Sequence, residues 1–123
     1  MKKLILLLLF VFLISCSTSN DDATPSLTIV NQNSSFPIIE VSLVGYKFEN
    51  LNLTSGTSTA FQLSKGIDGG NANVNVQIII KCGAQMPLKR NATLDFSTNQ
   101  TITVVDSKPD DTTPMNCGDA VIK

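Results

Sequence analysis

Two patterns of apolar and polar residues divide this chain. The first is an unbroken apolar run from Leu4 to Ile14, behind Lys2 and Lys3 and ahead of the polar stretch Ser17–Asp22. The second begins at Ser26 and has period two, the spacing of strands with one buried face. Leu27-Thr28-Ile29-Val30 predicts a first strand. Ile39, Val41 and Leu43 alternate with Glu40 and Ser42 in a second, and Gly45 interrupts before Tyr46-Lys47-Phe48 extends or bulges it. Leu51-Asn52-Leu53 predicts a short strand, and Thr57–Leu63 another, with Phe61 and Leu63 on one face. Asn73–Cys82 is the clearest strand. Val74, Val76, Ile78, Ile80 and Cys82 share a face, and Ile79 is the apolar exception on the other. Gly83–Asn91 predicts a loop centred on Pro87. Ala92, Leu94 and Phe96 line the next strand, and Ile102 and Val104 line its return.

Turn residues punctuate these segments at Asn31–Ser35, Ser55-Gly56, Asp68-Gly69-Gly70 and Ser97–Gln100. No window carries a helical repeat. About seven short strands at this spacing predict an all-β fold, an antiparallel β-sandwich, with a small β-barrel as the alternative. Ile29-Val30-Asn31, Gly45–Phe48, Thr54–Ser58 and Thr101–Val104 follow one another in an order that resembles small Ig-like or transthyretin-like envelope lipoproteins of Bacteroidota. That resemblance covers residues 26–106. It implies a sandwich and carries no activity with it.

The apolar run at the start is about eleven residues, or roughly 16 Å of helix, against a bilayer core about 30 Å thick. A basic start, a short apolar run and a small residue at its end make a secretory signal peptide over residues 1–15. Leu13-Ile14-Ser15-Cys16 resembles the lipobox of bacterial lipoproteins. The resemblance implies that Cys16 becomes the first mature residue, carries a diacylglyceryl group on sulfur and is acylated on its amine, with palmitate among the acyl chains. Two or more buried chains anchor durably where one does not. Residues 16–25 then form a lipidated tether, 26–107 the sandwich and 108–123 a C-terminal tail. The acidic pair Asp21-Asp22 resembles the surface-export signal of Bacteroidota lipoproteins, which implies the outer membrane and a position open to the cell surface.

Processing at Cys16 changes the arithmetic of the rest. Lys2 and Lys3 leave with the signal peptide, so a formal charge of −1 becomes about −3. No basic patch with interleaved aromatics occurs, which argues against a nucleic-acid partner. Cys82 and Cys117 remain as an even pair in an oxidising compartment. A disulfide between them is the expectation, linking the tail to the domain. Free thiols or a metal pair are the alternatives, and two thiolates without histidine or close spacing make a poor zinc site.

The chemistry is sparse. The chain has no histidine, so the usual Ser-His-Asp and Cys-His arrangements lack their base. A Ser-Lys dyad is formally possible through Ser64-Lys65, but adjacent residues within one strand point to opposite faces and cannot meet. Glu40, Glu49, Asp68, Asp95 and Asp106 occur singly, as a solvated face would place them. Asp68, Asn71 and Asn73 sit in a glycine-rich loop with oxygen ligands, the best of the weak metal candidates, for calcium. The loop lacks a closing bidentate Glu and reads equally well as a turn, so no metal and no cofactor is expected. Asn33, Asn52, Asn91 and Asn99 head sequons of the N-glycosylation type, which the bacterial leader argues against using.

The reading is a non-enzymatic, lipid-anchored envelope protein. Its role is binding or assembly at the outer membrane or cell surface, with a protein or glycan of the envelope as partner. A sheet edge can recruit an extended peptide by strand addition. The alternative is an inhibitor of an exogenous hydrolase such as a lysozyme or protease, acting through the loop beginning at Gly83. The candidate binding residues are Tyr46 and Phe48, the aromatics interleaved with charge, and Pro87, Lys89 and Arg90.

Overall fold

The computed structural model describes residues 25–63, 73–109 and 116–123. The signal peptide, Cys16, the acidic pair, Ser64-Lys65, Asp68 and Asn71 lie outside the described residues. Among the described residues eight strands form: β1 (Ser26–Asn31), β2 (Ile38–Leu43), β3 (Tyr46–Phe48), β4 (Thr57–Gln62), β5 (Val74–Ile80), β6 (Leu88–Leu94), β7 (Gln100–Asp106) and β8 (Ala120–Ile122). They make two four-stranded sheets. The first runs β4-β1-β7-β8 and the second β3-β2-β5-β6. The sheets are separate, so the fold is a sandwich and not the alternative barrel.

The alternation seen in the sequence becomes the core. Leu27, Ile29, Ile38, Val41, Val76, Ile78, Ile80, Ile102 and Val104 are essentially inaccessible to solvent. Each such side chain contributes about 1.5–3 kcal/mol on burial. Phe61 faces the same interior from β4, opposite Leu27, while Ser58, Ala60 and Gln62 point outward.

Several expectations change in detail. All pairs are antiparallel except β1 with β7, which run parallel from Leu27/Gln100 to Asn31/Val104. The chain crosses to the other sheet between these two strands, and that crossing permits a parallel pair. Tyr46–Phe48 does not extend β2 but folds back on it as a hairpin, with Leu43 opposite Tyr46 and Val41 opposite Phe48. Gly45, at φ +76°, makes the turn. Leu51–Leu53 reduces to a single bridge from Leu53 to Ile38. The predicted loop ends early, because β6 begins at Leu88 and takes in Lys89 and Arg90. The end of the tail is part of the sandwich, since β8 pairs with β7 from Asp106/Ala120 to Val104/Ile122.

One connection carries a buried polar pair that hydropathy does not announce. Asn31 ends β1, and both it and Asn33 are fully buried. The Asn31 amide donates to the carbonyls of Phe36 (3.0 Å) and Leu53 (2.7 Å) and accepts from the Asn33 backbone N–H (3.1 Å). Asn33 accepts from the Ser35 and Phe36 N–H groups at 3.2 and 2.7 Å. Together they satisfy the backbone where the chain passes from one sheet to the other. Among the described residues no buried side-chain polar atom lacks a partner. Burial also removes Asn33 as a glycan acceptor.

Candidate functional site

Strand direction gives the sandwich two distinct poles. The chain enters at Ser26, and β1 ends at Asn31. Through Asn31 that end lies beside Leu53, which bridges to Ile38 at the start of β2. Ile38 in turn faces Ile80 at the end of β5. The β5–β6 loop, the β3–β4 connection and the start of β2 therefore gather at the pole far from the chain's entry. The β2–β3 turn and the β6–β7 turn lie at the near pole.

A cleft of about 530 Å³ opens at the far pole, lined by Ile39, Glu40, Glu49, Asn50, Leu51, Lys81, Gly83, Gln85 and Pro87. Its apolar part exists because β2 departs from strict alternation. The register shifts between Ile38 and Glu40, a bulge that leaves Ile39 half-buried on the cleft side instead of in the core. Asn50 turns the chain with φ +57°, a conformation that asparagine tolerates better than most residues. The Leu51 N–H then donates to the Ile39 carbonyl at 3.0 Å, bringing the two aliphatic side chains to one wall.

The opposite wall is the loop Gly83–Pro87. Cys82 at its base is joined to Cys117, with Cα atoms 5.5 Å apart, so the expected disulfide is present. The Gln85 N–H donates to the Cys82 carbonyl at 3.1 Å to close a tight turn, and the Lys81 N–H donates to the Pro37 carbonyl at 2.9 Å. Gly83, at φ +64°, adopts a backbone that a side chain would strain. All five loop residues are exposed, and Met86 reaches 89% exposure. The loop is thus held at its base and presents the Met86 side chain to solvent.

Charge edges the cleft. Lys47 on β3 lies 3.6 Å from the Glu40 carboxylate and hydrogen-bonds Glu49. Foremost the Glu49 hydrogen bond, and then the charges of Glu40 and Glu49, raise the Lys47 pKa above its ordinary value. The ammonium thus stays charged throughout the physiological range. Lys81 carries the positive charge of the other wall.

The candidate binding residues read from the sequence do not form one set. Pro87 lines the cleft. Tyr46 and Phe48 lie on β3 and Lys89 and Arg90 on β6, and these strands are opposite edges of one sheet. Lys89 is exposed. The Arg90 guanidinium is engaged: Nε donates to the Ala120 carbonyl and Nη2 to that of Gly118, each at 2.7 Å. Phe48 stacks on Phe61 with ring centroids 4.0 Å apart, and Tyr46 stacks behind it at 6.0 Å. Of the scattered carboxylates, Glu40 and Glu49 meet around Lys47. Asp95 instead caps the Ser97 N–H at 2.9 Å, and Asp106 accepts from the Ser34 N–H at 3.1 Å. Among the described residues no group of three or more acidic, cysteine or histidine side chains could hold a metal.

Sequence reasoning missed Ile39, Asn50, Leu51, Lys81 and Gln85 as a cleft. The signal available was Ile38-Ile39-Glu40-Val41, where two adjacent aliphatics break the period and mark a bulge. The chain matches no family model, no curated protein and no solved structure.

Proposed function

We propose that this chain is a lipid-anchored protein of the bacterial envelope that binds a protein or glycan partner non-covalently through the pole opposite its anchor. The observation that supports this reading most is the pairing of the cleft with the loop Gly83–Pro87 at the pole far from Ser26. Lipid on Cys16 with a tether through residue 25 sets the near pole toward the membrane and offers the far pole outward. The cleft combines aliphatic floor, carboxylates, a lysine and two amides, the mixture by which binding sites fix orientation while burying apolar area.

A photo-crosslinker placed at Met86 tests the reading in the full chain, with one at Thr98, in the near-pole turn, as control. A discrete envelope adduct at Met86 that is absent at Thr98 and lost on Leu51→Arg fits the proposal. Equal labelling from both poles sinks it. The anchor has its own test, because a Cys16→Ser chain that stays fully membrane-bound after processing rules lipidation out.

Inhibition of an exogenous hydrolase is the second reading, favoured by the disulfide at the base of an exposed five-residue loop. Such loops bind enzymes tightly when little ordering remains to be lost on docking. A lysozyme and protease panel whose activity is unaffected by micromolar full chain removes it.

A further inference from the structure

The four sheet edges are guarded very differently. An unpaired edge offers a row of backbone donors and acceptors, and proteins blunt it with charge, proline, bulges or brevity. β3 and β8 are three residues long. β6 is longer but carries Lys89 and Arg90, and Arg90 is bonded across to the β8 side. β4 has none of these protections. Thr57-Ser58-Thr59-Ala60-Phe61-Gln62 is uncharged and proline-free, and it pairs with β1 over all six residues without a register shift.

The direction of its free groups follows from the ladder. The Leu63 N–H donates to the Pro25 carbonyl at 3.0 Å, which makes Leu63/Pro25 a hydrogen-bonded pair. Antiparallel bonding alternates, so Phe61 and Thr59 bond toward β1. The backbone groups of Ser58, Ala60 and Gln62 then face away from it. Among the described residues no other strand covers them.

We propose that β4 is a homodimerisation edge, pairing antiparallel with β4 of a second copy about a two-fold axis at Ala60. That register sets Ala60 opposite Ala60 and Ser58 opposite Gln62. Each hydrogen-bonded pair exchanges two bonds, giving about six across the axis. The outer face then brings together only Ser, Ala and Gln, with no like charges opposed. A closed two-fold pairing is self-complementary, which this small, uncharged strand satisfies. A charged peptide, by contrast, finds no complementary group on it. The two four-stranded sheets would join into one of eight. The half-exposed Tyr46–Phe48–Phe61 stacks, which lie along the same side of each copy, would be brought together and covered.

The test is cysteine cross-linking of the full chain in intact cells, read on non-reducing gels. A hydrogen-bonded antiparallel pair holds its Cα atoms about 5.5 Å apart, inside the range for a disulfide. Ala60→Cys is expected to give at least tenfold more covalent dimer than Thr98→Cys, a turn position that is also exposed. Ala60→Pro removes an outward N–H while leaving the β1 ladder intact. Added to a Ser58→Cys/Gln62→Cys chain, whose two cysteines the register sets opposite one another across the axis, it should cut cross-linking at least fivefold, with thermal unfolding confirming that the fold persists. Ser58→Lys, which changes no backbone bond, should likewise reduce cross-linking through Ala60→Cys. Cross-linking no better than at Thr98, indifference to both edge variants, or an adduct of Ala60→Cys with a different protein overturns the proposal.

Discussion

The two long sides of the sandwich are closed by different means. On one side β6 and β8 are joined by the Cys82–Cys117 disulfide beside them and by Arg90, whose guanidinium holds the Gly118 and Ala120 carbonyls. On the other side β3 and β4 are joined by stacked rings, Phe48 on Phe61 with Tyr46 behind. The first closure is covalent and directional. The second is apolar and leaves its rings half exposed. Directional closure suits the side that fixes the base of the Gly83–Pro87 loop, since an error there is passed straight to the cleft. Apolar closure suits the side that carries the unguarded β4 edge, because half-exposed rings gain further when a partner covers them.

The largest effect is expected from opening the covalent side. Cys82 and Cys117 lie 35 residues apart, and in the chain-entropy model such a crosslink is worth about 4 kcal/mol. For a domain of this size the Cys82→Ala/Cys117→Ala chain should unfold roughly 15–30 °C lower, as should the parent in reductant. β8 and the loop base should lose hydrogen-exchange protection first, while β3 and β4 keep theirs. Uniform loss over both sides would break the comparison, since it would mean that the two closures act as one unit.

The ring side should respond less and differently. Phe48 and Phe61 are each half-buried, so truncating either to alanine is expected to cost about 2 kcal/mol, below the 3–5 kcal/mol of a fully buried ring. A double-mutant cycle should give a coupling of about 1 kcal/mol for the stack. Thermal unfolding of the two single variants and the double variant measures it. Coupling near zero would show that each ring packs on the core independently and that the side is closed by burial alone.

The sequence announced these two sides unequally. The disulfide followed from the leader, because assigning Cys16 to lipid left one pair. The core strands followed from period two, which β5 keeps for seven residues. Phe61 was placed on its inner face, but nothing in a single sequence says that it will meet Phe48, which belongs to the other sheet. Ring pairing is a tertiary fact. The same limit hid the cleft, whose two walls are separated by some thirty residues and meet through the Ile38/Ile80 pairing. Arg90 was legible as a cation but not as a clamp, since its acceptors are backbone carbonyls that every residue has. The parallel β1–β7 pair was hidden for another reason. Alternation records which face is buried and says nothing about the direction of the neighbouring strand.

The smallest effect should come from Lys47, the charge on the ring side. Its pKa is raised, chiefly by the hydrogen bond to Glu49. A group whose folded pKa lies above its unfolded value contributes stability that is fully present below the unfolded pKa and is lost as pH rises through the folded one. For a lysine that window opens above its ordinary value of 10.5. Lys47 should therefore add no pH dependence between pH 6 and 9, and Lys47→Met should change the melting temperature equally at both ends of that range. Only in strongly alkaline solution should parent and variant converge. The side chain is largely exposed, and surface pairs of this kind contribute little and weaken in salt, so the offset itself should be small and shrink at high ionic strength. An offset that instead varies across the neutral range would mean that another ionisable group on the β3 side couples to Lys47. The ring side would then owe part of its closure to charge, as the Arg90 side does.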